Sequence, residues 1–176
     1  MSTDIGVPRA WAPVLVASLA LATCAVGLGR AHAALSAPPR CVTPRLVVWL
    51  ETNEGGGAAG SVFYSLKFTN LARHACTLAG YPGVSAVDLR GRRLGSPAGR
   101  NPQQPFHVIK LAAGDTASAV LQISQAANFP AGACHPVAAA GVRVYPPSAF
   151  KSKVVPIPFS ACSRSGPIYL HIERVR

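Results

Sequence analysis

In one run after another from Pro44 onward, apolar residues recur at every second position, a spacing that only an extended strand turns into a single apolar face. The cleanest run is SVFYSLKFTN, with Val62, Tyr64, Leu66 and Phe68 on one side and Phe63, Ser65, Lys67 and Thr69 on the other. TASAVLQIS repeats the pattern with Ala117, Ala119, Leu121 and Ile123. PRLVVWLE, a short segment around Leu78, the residues Val84 to Leu89, FHVIKL, AAAGVRVYPP, SKVVPIPF and PIYLHIERV read as further strands. Prolines in the last three place them at sheet edges or strand ends. No stretch after residue 34 has the length, period and caps of an amphipathic helix. About eight to ten short strands separated by turn signals predict an all-β, antiparallel β-sandwich.

The turns carry their own signals. Tyr81-Pro82-Gly83-Val84 fits a type II turn, with proline presetting φ at the second position and Gly83 supplying the positive φ of the third. DLRGRRLG is a hairpin turning at Gly91, with Val87 and Leu89 on the strand that enters it. ETNEGGGAAG is a flexible turn, SPAGRNPQQP a proline- and glycine-rich loop, AAGD a turn and QAANFPAGACHP irregular.

The N-terminus has a different character. Arg9 is followed by an uncharged run from Ala10 to Gly29 and by Ala31-His32-Ala33. A basic residue, an apolar stretch and an A-x-A site make a secretory signal, with cleavage expected before Ala34. The run is long enough that retention as an anchor stays open, and Leu21-Ala22-Thr23-Cys24 leaves lipidation at Cys24 open, although Thr23 stands where Gly or Ala is usual. The expected organisation is a signal peptide over 1–33, a short linker over 34–40 and a β-sandwich domain over 41–176. No later run reaches membrane-spanning length, so no transmembrane segment is expected after cleavage.

Cys41, Cys76, Cys134 and Cys162 remain in the exported part, and an even number outside the cytoplasm reads as disulfides. Cys41 precedes the first strand and Cys76 follows the second; Cys134 and Cys162 bracket another strand pair. Antiparallel pairing puts the start of one strand beside the end of its neighbour, which selects Cys41–Cys76 and Cys134–Cys162. A metal site is the alternative, through His74 near Cys76 or His135 beside Cys134, but no C-x-x-C spacing exists and no cofactor is expected.

From Ala34 onward the chain has fifteen Lys and Arg against five Asp and Glu. Residues 90–176 hold eleven of those bases and two of the acids. That excess favours an anionic envelope component, a lipid headgroup or an acidic wall polymer, as partner. Aromatics are sparse and no nucleic-acid motif is present, which argues against nucleic acid. Arg90, Arg92, Arg93 and Arg100, with Lys151 and Lys153, are the candidate contacts.

Phe68-Thr69-Asn70, the block Cys76 to Val84 (CTLAGYPGV), LAAGDTA and Val142-Arg143-Val144-Tyr145-Pro146-Pro147 together resemble the exported actinobacterial family called domain of unknown function 4232. The resemblance covers Cys41 to the C-terminus. It implies an immunoglobulin-like sandwich on a secreted protein or lipoprotein, and no activity.

Nucleophilic catalysis needs a nucleophile, a base and an orienting acid. Glu51 and Glu54 border a glycine turn, Asp88 and Asp115 sit in turns where Asp bonds its own backbone, and no G-x-S-x-G occurs. The expectation is a non-enzymatic binding or structural module of the cell envelope. The alternative is a small extracytoplasmic hydrolase or metal-handling protein using His74, His107, His135 or His171.

Overall fold

Strand after strand buries the face that its alternation marks. In β3 (Ser61–Asn70) Leu66 and Phe68 are fully buried, and in β9 (Thr116–Ser124) Ala119 and Leu121 are too. The two strands pair antiparallel with Leu66 opposite Ala119 and Phe68 opposite Ala117, so each large side chain is met by a small one across the ladder. This is how two neighbouring strands fill one core layer without strain.

The computed structural model describes residues 37–52, 56–58 and 60–176, with the isolated positions 3 and 6. The signal peptide read over 1–33, cleavage before Ala34, Cys24 and Glu54 lie outside the described residues. Ser36–Arg176 forms one compact unit.

The remaining strands are β1 (Leu46–Glu51), β2 (Gly57–Ala58), β4 (Cys76–Ala79), β5 (Gly83–Val87), β6 (Arg93–Leu94), β7 (Gly99–Arg100), β8 (Val108–Leu111), β10 (Pro136–Tyr145), β11 (Lys153–Cys162) and β12 (Leu170–Ile172). One sheet runs β1-β3-β9-β12-β7 with β2 on β3, the other runs β11-β10-β5-β6, and β4 and β8 form a separate ribbon. Leu46, Leu66, Phe68, Leu121, Leu170 and Ile172 of the first sheet share a core with Val84, Ala86, Val142, Val144 and Val155 of the second. The protein is an all-β, immunoglobulin-like antiparallel sandwich. Two parallel contacts depart from the pattern, β12 with β7 and the bridge between Arg40 and Thr77.

Both expected disulfides are present, Cys41–Cys76 and Cys134–Cys162. The second follows directly from register, since Pro136 faces Cys162 across the β10–β11 ladder. The first is supported by a bridge in which the Cys41 N–H donates to the Thr77 carbonyl and the Thr77 N–H to the Pro39 carbonyl. The segment read as a linker therefore joins the domain by its last two residues.

Prolines 156 and 158 fall on β11, the edge of its sheet, where a missing N–H breaks no ladder. Gly141 sits beside a register shift in β10, and a Cβ there would come within 2.3 Å of the Val155 carbonyl oxygen. Only glycine fits at that bulge.

Some expectations fail locally. Gly83 is not the positive-φ residue of a type II turn; it starts β5 and packs on Tyr145, while Gly80 takes φ +95°. The reason is that β4 and β5 belong to different sheets, so the chain crosses over where a tight hairpin was expected. Leu89 is not on the strand but at the hairpin tip, 95% exposed. The loop Ser96 to Pro105 contains the two-residue β7, and the irregular segment after β9 contains 3-10 and α turns at Ala126–Asn128 and Ala131–Cys134.

Candidate functional site

The tip between β5 and β6 is organised by one carboxylate. Asp88 Oδ1 accepts the Arg90 and Arg92 N–H groups at 2.9 and 2.8 Å, and Oδ2 accepts the Arg92 Nε–H at 2.8 Å. The Arg92 N–H and then its guanidinium hold the Asp88 carboxyl below its usual value. Gly91, at φ +72°, makes the turn as its sequence position implied. Asp88 thus hydrogen-bonds its own turn, as does Asp115, whose Oδ2 accepts the Ala112 N–H.

β10 reaches this tip from the next strand. Val142 and Val144 are fully buried, so the alternation drives Arg143 and Tyr145 to the outer face. Arg143 lies opposite Ser85 in β5, and its Nη2–H donates to the Gly91 carbonyl at 2.6 Å. Arg93, opposite Val87, opens on the same face. Gly83, Val84, Ser85, Arg93, Pro97, Arg143 and Tyr145 line a cleft of about 450 Å³ there. Two guanidinium groups, a serine and a tyrosine line it, and among the described residues no Asp or Glu does.

The six basic candidates do not all meet. Arg90 and Arg92 stay at the hairpin tip, with Arg92 paired to Asp88. Arg93 enters the cleft. Arg100, on β7, lies 5.4 Å from the centre of the Tyr81 ring, and Arg174 lies 4.9 Å from it. Lys151 lies in the connection into β11 and Lys153 starts that strand, both at the opposite end of β5 from the Asp88 tip. Arg143, Tyr145 and Ser85 were missed as partners of Arg93. The alternation in GVRVY points Arg143 outward, but the register that sets it beside β5 is non-local.

The histidines are separate as well. His74 is exposed in the loop after β3, and His107 is exposed before β8. His135 caps the short α turn at φ +50°, with Nδ1 3.3 Å from Ser163 Oγ. His171 Nδ1 and Glu173 Oε2 are enclosed without a hydrogen-bond partner. Among the described residues no three His, Cys, Asp or Glu side chains come together.

What fold and site define is a class: an all-β sandwich closed by two disulfides, bearing a basic cleft on the outer face of its smaller sheet. Disulfides are the mark of an oxidising compartment, consistent with an extracytoplasmic protein. Among the described residues no helix is long and apolar enough to cross a membrane. The chain belongs to the family described as Domain of unknown function (DUF4232), which matches residues 41–168. A comparison with curated proteins returns no match.

The motif residues that carry the resemblance are occupied with holding the scaffold together. Phe68 is core, and Thr69 Oγ1 lies 2.8 Å from Thr116 Oγ1 and accepts from Trp49 Nε1. Asn70, fully buried, donates through Nδ2 to the carbonyls of His74, Leu111 and Ala112 and accepts the Ala72 N–H through Oδ1. Cys76 is bonded to Cys41, Leu78 and Val84 are core, and Tyr81 receives two guanidinium groups. Such residues specify a frame.

Proposed function

We propose that the domain is a non-enzymatic, exported binding module of the cell envelope, and that the cleft between Arg93 and Arg143 takes a phosphate or carboxylate group of an anionic wall polymer. The observation that carries this reading is the pairing of two arginines in one concavity that no acid among the described residues lines, on the outer face of a disulfide-stapled sheet. A guanidinium offers a planar fork of donors suited to either oxyanion, and a second one beside it binds the next charge or the other oxygens of the same group. A volume of this size accepts one polymer unit rather than an extended chain.

The non-enzymatic part rests on how the acids and cysteines are engaged. Glu51 pairs with Lys67 at 2.8 Å, Asp88 and Asp115 bond their own turns, and Cys41, Cys76, Cys134 and Cys162 are all in disulfides.

The test is cosedimentation of the exported protein with purified cell-wall material, before and after chemical removal of its anionic polymers. Binding should depend on those polymers and weaken with salt. Arg93→Gln and Arg143→Gln should each weaken it about tenfold, the scale of one lost charge-assisted hydrogen bond. Arg90→Ser, at the tip, should leave it unchanged. Equal binding by the native protein and the Arg93→Gln/Arg143→Gln double variant would overturn the assignment.

A further inference from the structure

Away from the cleft, one pole of the domain combines exposed aromatic side chains with bases. The connection from β10 to β11 carries Phe150, 98% exposed, and nearby stand Phe106 at 61% and Val42 at 56%. Two concavities meet there. One is lined by Val42, Phe150 and Lys151, the other by Phe106, and Arg40 and Ser148 line both. The two concavities therefore adjoin at Arg40 and Ser148, with exposed apolar side chains in each. Thr43 Oγ1 donates to the Lys151 carbonyl at 2.9 Å, which fixes the connection against the chain entering β1. Among the described residues no Asp or Glu lines either concavity.

An apolar surface of this kind needs an occupant. A second copy would bring its own Arg40 and Lys151 against those of the first, with no acid among the described residues lining the pole to neutralise them. A hydrophilic wall polymer would meet the bases but leave both phenylalanines in water. A bilayer with anionic headgroups satisfies both, because aromatic rings are favoured at the headgroup boundary and each surface base gains from the negative leaflet. The chain also enters the domain at this pole, through Arg40.

We propose that this pole docks on an anionic lipid surface, with Phe150 and Phe106 entering the interface while Arg40 and Lys151 face the phosphates. The site is distinct from the Arg93–Arg143 cleft and does not depend on it.

The test uses the exported protein with vesicles of phosphatidylglycerol and phosphatidylcholine, and with vesicles of phosphatidylcholine alone. Native protein should sediment with the anionic vesicles and be released by salt. The double variant Phe106→Ser/Phe150→Ser changes exposed residues, and its partitioning should fall about tenfold or more, the scale of losing buried aromatic area. Phe150→Trp should show, on addition of anionic vesicles, a blue shift in emission beyond that of the native protein, whose own tryptophans are Trp11 and Trp49. Arg93→Gln/Arg143→Gln should leave vesicle binding intact, which separates a failure here from a failure of the cleft. Unchanged sedimentation of the double serine variant, or no shift from Phe150→Trp, would overturn the proposal. A dimer abolished by those substitutions would also overturn it, by assigning the surface to a second copy.

Discussion

The Tyr169 hydroxyl donates a hydrogen bond to the Leu94 carbonyl at 3.1 Å, linking the entry of β12 in one sheet to the end of β6 in the other. Burial pushes the phenol up to about 12, because its anion would have to form away from water. A phenol whose pKa is raised in the folded state contributes stability that is fully present below the ordinary value of about 10 and is lost as pH rises through about 12. An ultraviolet titration should show one of the four tyrosines ionising last, together with unfolding in that alkaline window. Tyr169→Phe should cost about 1–2 kcal/mol at neutral pH and remove the late ionisation.

Asn70 is the second buried polar junction. Its side chain ties the end of β3 to the following loop and to the β8–β9 turn. Asn70→Ala should cost about 3 kcal/mol or more in urea unfolding, since it strands several enclosed backbone groups at once. Asn70→Asp should be no better, because it turns an acceptor oxygen toward the three carbonyls that the amide nitrogen serves.

Acid should loosen the hairpin tip and spare the core. Asp88 has a lowered pKa, so its contribution is present above its ordinary value of 3.8 and is lost as pH falls through the lowered one. The amide resonances of Arg90 and Arg92 should shift below pH 3.8, and Asp88→Asn should abolish that dependence. Resonances of β3 and β9 should stay in place over the same range.

The two disulfides close loops of 35 and 28 residues. Replacing either pair with alanine should cost about 3.5–4 kcal/mol on chain-entropy grounds. Gly141→Ala tests the bulge: its methyl would meet the Val155 carbonyl, with an expected loss of about 1–3 kcal/mol. Both are measured by thermal or urea unfolding of the purified protein.

Local periodicity was enough to read the strand faces, because burial at Leu66, Phe68, Ala117 and Leu121 follows the alternation residue by residue. Antiparallel neighbours were enough to read the disulfides. What depends on distant pairing was hidden: β7 exists only because β12 lies beside it, and Gly83 joins a strand because Tyr145 is across from it. For the same reason Arg93 was visible as a base near a turn, while Arg143, its companion in the cleft, was visible only as a member of a strand. Asn70 stood out only as part of the Phe68-Thr69-Asn70 motif, and its role stayed hidden, since a buried amide and a turn asparagine look alike in sequence.

The Cys41–Cys76 bond sits where the chain enters the domain, before β1 has begun. A pull arriving through residue 37 is handed across that bond to β4, and the segment from Val42 to Ala75, with β1 and β3, lies off the load path. A domain held by its upstream end is therefore strained through the β4–β8 ribbon, and its first hairpin cannot be peeled open from that side.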